Sequence, residues 1–170
     1  MKDLGAAKKI FGMKIHRHCK GGKLCISQKN YIEKVLEHFG KIHAKPVTTP
    51  LASHFRLPAQ MSPQTENEKQ QMVCIPYLCT VGSMMHTMVC TRPDISRAVS
   101  VVSRYMSRPA REHWLVVKWI LRYLRSTVDL CLVYDQSDPS SNVTSYVDSD
   151  YAEDFDRRRS LMKKDRLDQL

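Results

Sequence analysis

Apolar residues recur along this chain with two different periods, separated by one long stretch with no period. The short run Ile10–Ile15 suits a strand, Gly21-Gly22 marks a turn, and Leu24-Cys25-Ile26 suits a second strand. Together they predict a β-hairpin whose loop carries Lys14, Arg17, Lys20 and Lys23. Tyr31, Ile32, Val35, Leu36 and Phe39 then form one helical stripe over 28–39, with Ser27 placed to cap its start and Gly40 its end. Residues 41–73 lose all periodicity, and Pro46, Pro50, Pro58 and Pro63 predict an extended linker or irregular loop.

Three helices are predicted next. The first, about 76–90, would bury Leu78, Val81, Met84, Met85 and Met88, with the methionines filling core space. The second opens at Thr91-Arg92-Pro93-Asp94, where Thr91 and Asp94 have capping-box spacing, and carries Ile95, Ala98, Val99, Val102, Tyr105 and Met106 on one face. Pro109 ends it and opens a third, 111–125, apolar around most of its axis. Its polar stripe is Arg111, Lys118, Arg122 and Arg125, whose spacings of seven, four and three put them on one face. That ridge either faces water or meets phosphates. Two strand candidates follow, Leu130–Tyr134 and Val143–Val147, joined by a turn-rich loop, and beyond Glu153 the pattern dissolves.

Charge sharpens the picture. The 170 residues hold 27 Lys+Arg against 17 Asp+Glu, a formal surplus of +10. The surplus is concentrated: residues 1–50 carry 11 basic and 3 acidic side chains, and 92–125 carry 8 and 2. A field of this sign favours polyanionic partners through counterion release, although a solvated basic surface has the same composition. With 42% hydrophobic residues the chain can build a core, which excludes the disordered class.

The six cysteines have no zinc-ribbon or CxxC spacing, so free thiols in a reducing compartment are expected. His16, His18, Cys19 and Cys25 lie close together in sequence but fall around one hairpin, an unpromising metal site. No secretory leader and no apolar run of membrane-spanning length is present, so an intracellular location, cytoplasmic or nuclear, is the expectation, with no membrane partner.

Several separated segments resemble one family, in that family's order. MKDLGAAKKIFGMKIHR (1–17) resembles the segment that follows the catalytic aspartates of copia-type retrotransposon reverse transcriptases. CISQKNYIEKVLEHFG (25–40) resembles the helix after it, and KPVTTPL (45–51) the stretch that leaves it. IPYLCTVGSMMHTMVCTRPDISRAVSVVSRYMSRP (75–109) is the most specific piece, followed by HWLVVKWILRYLRST (113–127) and YVDSDYAEDFDRRRS (146–160). The resemblance, to the Ty/copia (Pseudoviridae-like) Pol polyprotein, covers about residues 1–160. Phe11 stands where the family has Leu, His86 where it has an aromatic, and Ser126 and Glu153 where it has Gly.

What the resemblance implies is an α+β chain. Residues 1–40 would close the reverse-transcriptase palm, 41–74 would be a linker, and 75–127 a helical thumb or connection. Residues 128–160 would open an RNase H domain as a β-hairpin, and 161–170 would be a divergent tail. The thumb of this family grips template–primer duplex, so Arg111, Lys118, Arg122 and Arg125 would contact phosphates without reading bases. Asp148 matches the first RNase H carboxylate that binds Mg²⁺ in the parent family, but two-metal chemistry needs several carboxylates, and one is vestigial. The polymerase aspartate pair and the later nuclease carboxylates are absent from this sequence. After Arg159-Ser160 the chain reads LMKKDRLDQL in place of an apolar strand, as a frameshifted end would. The expectation is therefore a Pol fragment with neither catalysis nor cofactor of its own. Weak, non-specific binding to RNA–DNA or DNA duplex is one alternative function, and self-association through an exposed sheet edge is another.

Overall fold

The first apolar run contains a glycine, Gly12, and it breaks the run in two. In the computed structural model, which describes residues 5–18, 21–52, Phe55 and 66–135 (side chains of 66–69 excepted), that run is not one strand. Phe11, at φ 48°, and Gly12, at φ 80°, turn the chain between β1 (Lys9–Ile10) and β2 (Met13–His18), which pair antiparallel. Gly12 adopts that φ without the clash a Cβ would bring. β2 pairs antiparallel with β3 (Lys23–Ser27), as the hairpin pattern predicts.

Helix α1 (Lys29–His38) follows within two residues. Ser27 Oγ accepts the Lys29 amide at 3.3 Å, near the predicted cap. At the other end Gly40, at φ 62°, donates to Glu37 O and Lys41 donates to Leu36 O at 2.7 Å, a Schellman closure that the sequence position of Gly40 predicts.

The predicted linker is only partly a linker. Residues 66–73 form α2 (Glu66–Val73), which its polar sequence does not signal. Among its described side chains Met72, 8% exposed, docks on the core, so packing stabilises a helix that periodicity could not reveal. At the start of the predicted linker the chain turns, Ala44 bonding back to Lys41 O.

Helices α3 (Tyr77–Cys90), α4 (Ser96–Ser103) and α5 (Arg111–Ser126) supply the rest of the core. α3 buries a different stripe from the predicted one. Tyr77, Thr80, Val81, Met84 and Thr87 face inward, while Leu78 and Met85 are exposed. The threonines can be buried because each hydroxyl donates to the carbonyl four residues earlier, Pro76 and Ser83. Leu36, Val81, Met84, Val99, Val102, Val117, Ile120, Leu121 and Leu124 form the centre of one continuous cluster.

The Thr91–Asp94 capping box does not form. Pro93–Ile95 is a 3₁₀ turn; Thr91 Oγ1 donates to Gln28 Oε1 at 2.8 Å, tying the α3–α4 corner to the start of α1. Asp94 instead accepts both forks of Arg92. α4 is also shorter than its pattern, because residues 105 and 106 close i→i−3 turns.

β4 (Leu132–Asp135) returns to the N-terminal sheet and pairs antiparallel with β3, giving the order β1-β2-β3-β4. The strand predicted over 143–147, its expected partner, lies outside the described residues. No residue of the four strands is buried and none joins the helical cluster. Alternation and register put Lys9, Lys14, His16, His18, Lys23 and Cys25 on one face, and Ile10, Met13, Ile15, Leu24, Ile26, Leu132 and Tyr134 on the other. The overall class is α+β.

Candidate functional site

The site begins with how α5 sits. Its buried residues, His113, Val116, Val117, Ile120, Leu121 and Leu124, follow the 3.6-residue repeat and turn one face into the core. Packing of that face leaves the predicted basic stripe outside: Arg111 is exposed, and Lys118, Arg122 and Arg125 are half-buried.

The stripe is not bare. Segment 41–50 lies against it as a strap. Arg125 Nε donates to Ile42 O, Arg122 Nε to Lys45 O at 2.6 Å, Ser126 Oγ to Val47 O at 2.7 Å, and Trp119 Nε1 to Thr49 O at 2.8 Å. The Arg122 guanidinium lies 5.0 Å from the centre of the Trp119 ring, and Phe55 meets that ring edge-on at 5.6 Å. Pro46 and Pro50 lack an amide hydrogen, and the strap offers the helix carbonyl oxygens, acceptors that an arginine can use.

Neutral carbonyls bind these guanidinium groups without cancelling their charge. Among the described residues the ion pairs are Lys23–Asp135, Lys29–Asp129 and Arg92–Asp94, and none involves the stripe. The strap adds a cation. The Lys118 ammonium is held below its ordinary value by burial and by the positive charges of Lys41 and Arg111 beside it. The result is a cationic strip of Arg111, Lys118, Lys41, Arg122 and Arg125, the last two tied to the strap. Lys41 was not legible as a member, because its place depends on the strap lying back on α5.

A cleft of about 590 Å³ adjoins the strip between α1 and the end of α5, with Glu33, Lys34, Glu37 and Arg125 in its wall. Its two glutamates make it a poor seat for a polyanion.

Beside the strip, Arg92 is 2% exposed and organises the far end of α5. It donates to both Asp94 oxygens, at 3.0 and 2.7 Å, and to Thr127 O and Oγ1, and lies 5.5 Å from the Tyr123 ring centre. Tyr123 completes the ring by donating to Asp94 Oδ2 at 2.8 Å. The Arg92 side chain keeps Asp94 ionised against the cost of its partial burial. Every one of these groups is spent on the fold.

Asp148 lies outside the described residues, as does Cys19 of the hairpin cluster. Among the described residues no group of three His, Cys, Asp or Glu side chains could hold a metal ion, and no helix is long and apolar enough to cross a membrane.

The chain is 54% identical over 160 residues, 94% of its length, to part of the retrovirus-related Pol polyprotein from transposon TNT 1-94 of Nicotiana tabacum. It is 42% identical over 86 residues to the secreted RxLR effector protein 161 of Plasmopara viticola, a match covering 51% of the chain. It is also 33% identical over 160 residues to an uncharacterized mitochondrial protein of Arabidopsis thaliana. No protein-family model and no solved structure matches. The chain belongs to the retrovirus-related Pol polyproteins of mobile elements. Within them its homologues are those of copia-type retrotransposons. It spans 12% of the tobacco polyprotein, 60% of the effector and 62% of the mitochondrial protein.

Proposed function

We propose that this chain corresponds to the Pol segment that joins reverse transcriptase to RNase H. On this reading its own activity is sequence-independent binding of nucleic-acid duplex, with no turnover. The observation that carries the reading is the strip along α5: four cations on a helix whose opposite face is core, two of them tied by the strap, with Lys41 of the strap beside them and none of the five in an ion pair among the described residues. Arginines and lysines held this way suit phosphate oxygens, which position a duplex without reading its sequence. The strip offers no base-reading carboxamide, and its spacing along a helix suits a run of phosphates. The order of the matched segments supports the domain assignment, with residues 1–40 at the end of the palm and 75–127 as the thumb or connection.

The test is fluorescence anisotropy with a labelled RNA–DNA hybrid and a DNA duplex of unrelated sequence. Weak binding to both is expected, with log affinity falling linearly against log salt. Alanine at Arg111, Lys118, Arg122 and Arg125 together should weaken binding equally for all sequences and flatten the slope by roughly 3–4 phosphate contacts. Binding indifferent to salt, or unchanged in the quadruple variant, would remove the strip as the interface. Polymerase or nuclease turnover with Mg²⁺ that disappears in Asp148→Asn would overturn the non-catalytic part.

A further inference from the structure

The side chains of the strip are long and flexible, yet two of them are tied down through one atom each. Arg122 and Arg125 donate through Nε to the strap carbonyls, and among the described residues no hydrogen bond engages their terminal Nη groups. An arginine can grip a phosphate side-on through Nε and one Nη, or end-on through both Nη groups. The strap blocks the first mode at both residues and leaves the second.

At Arg122 it also restricts the guanidinium plane: the group bonds Lys45 O through Nε and lies over the Trp119 ring, which is itself bonded to Thr49 O and flanked by Phe55. Ser126, one residue past Arg125, anchors the strap again at Val47. The strap thus makes four bonds to one helical face over eight residues of helix, 119–126. A free arginine loses much rotamer freedom on binding; these two have lost it already, in the fold.

We propose that the strap 41–50 is a positioning element of the interface: it pre-orders Arg122 and Arg125 for end-on contact with successive phosphates and adds Lys41 to the strip. Trp119 and Ser126 are then positioning residues, acting through the strap and not on the ligand. This rests on the duplex-binding reading above.

The experiment compares wild type with the double variant Trp119→Phe/Ser126→Ala, which removes two strap anchors and none of the cations. Pro50→Gly, which loosens the strap without altering α5, serves as the second variant should the first unfold. Two readouts are taken on each. The first is the arginine Nε–Hε NMR signals of the free protein, expected sharp and slowly exchanging for Arg122 and Arg125 in wild type and averaged in the variants. The second is duplex affinity against salt. Roughly three- to tenfold weaker binding with an unchanged salt slope is expected, since ordering is lost while the number of phosphates contacted stays the same. Variants that bind as tightly as wild type overturn the proposal, and variants that bind more tightly show that the strap competes with phosphate instead. Persistence of the two Hε signals in both variants overturns it as well. Wild type that fails to bind duplex at all sinks the duplex-binding reading itself, a result distinct from these.

Discussion

Lowering the pH should loosen this fold at one histidine. His113 is fully buried in the first turn of α5, stacked on Tyr105 with ring centres 3.8 Å apart. Its Nδ1 accepts the Ala110 amide at 2.9 Å, half of a capping box in which the histidine stands where glutamate or glutamine usually does. The neutral ring therefore carries its hydrogen on Nε2, which is buried without a partner. A second proton can land only on Nδ1, where it would break the Ala110 bond and put a charge in the core. Burial accordingly pulls the imidazole down from 6.5 to about 4, against a small opposing pull from Glu112.

The unfolded chain takes up a proton near 6.5 and the folded chain only near 4, so stability is full above about 6.5 and falls as pH drops toward 4. Each pH unit in that window costs about 1.4 kcal/mol, so the whole window removes roughly 3 kcal/mol. The assay is urea unfolding at pH 7 and pH 4.5, followed by fluorescence of Trp114 and Trp119. The comparison is His113→Gln, which can keep an acceptor for Ala110 but does not titrate. Carboxylates and the other histidines contribute alike to both proteins and cancel in the difference. Wild type should lose roughly 2–3 kcal/mol more than the variant between the two pH values. Parallel pH dependences would refute the assignment of the loss to this ring, whatever the absolute stabilities.

Two further outcomes follow from the fold. Arg92→Met should destabilise by roughly 2–3 kcal/mol: it removes four charged hydrogen bonds, although Asp94, partly exposed, can recover some solvation. Thermal melts would register the loss, and a fall in melting temperature within error of zero would show that the ring of Arg92, Asp94, Tyr123 and Thr127 contributes nothing net. Gly40→Ala should cost about 1 kcal/mol, because φ 62° strains a Cβ although nothing lies within 4 Å to clash with it. Gly40→Asn should cost less, and equal losses for Ala and Asn in chemical denaturation would point to something other than the left-handed backbone.

Some of this molecule could be read along the chain. Helices α1, α3 and α5 lie within a residue or two of their expected bounds, because each carries a dense apolar stripe and a local stop signal. Gly40 is the clearest of these, since its position alone specifies a left-handed closure. The basic stripe of α5 was legible for the same reason: a 3.6-residue repeat assigns faces without reference to anything outside the helix. Homology to copia-type Pol polyproteins was legible in the order of six separated segments, and the relatives agree with it.

Tertiary structure decided the rest, wherever a residue's role depends on a partner distant in sequence. α3 is apolar on too many sides for its own sequence to say which face turns inward; contact with α4 and α5 chooses Thr80 and Thr87 over Leu78 and Met85. α2 exists because Met72 finds the core, and β4 pairs with β3 across more than a hundred residues. The strap is the most consequential case. Pro46 and Pro50 announce only the lack of regular structure, and carbonyl oxygens are the same in every sequence. That Ile42, Lys45, Val47 and Thr49 present theirs to Arg125, Arg122, Ser126 and Trp119 is a fact of folding, and it ties down two arginines of the basic stripe.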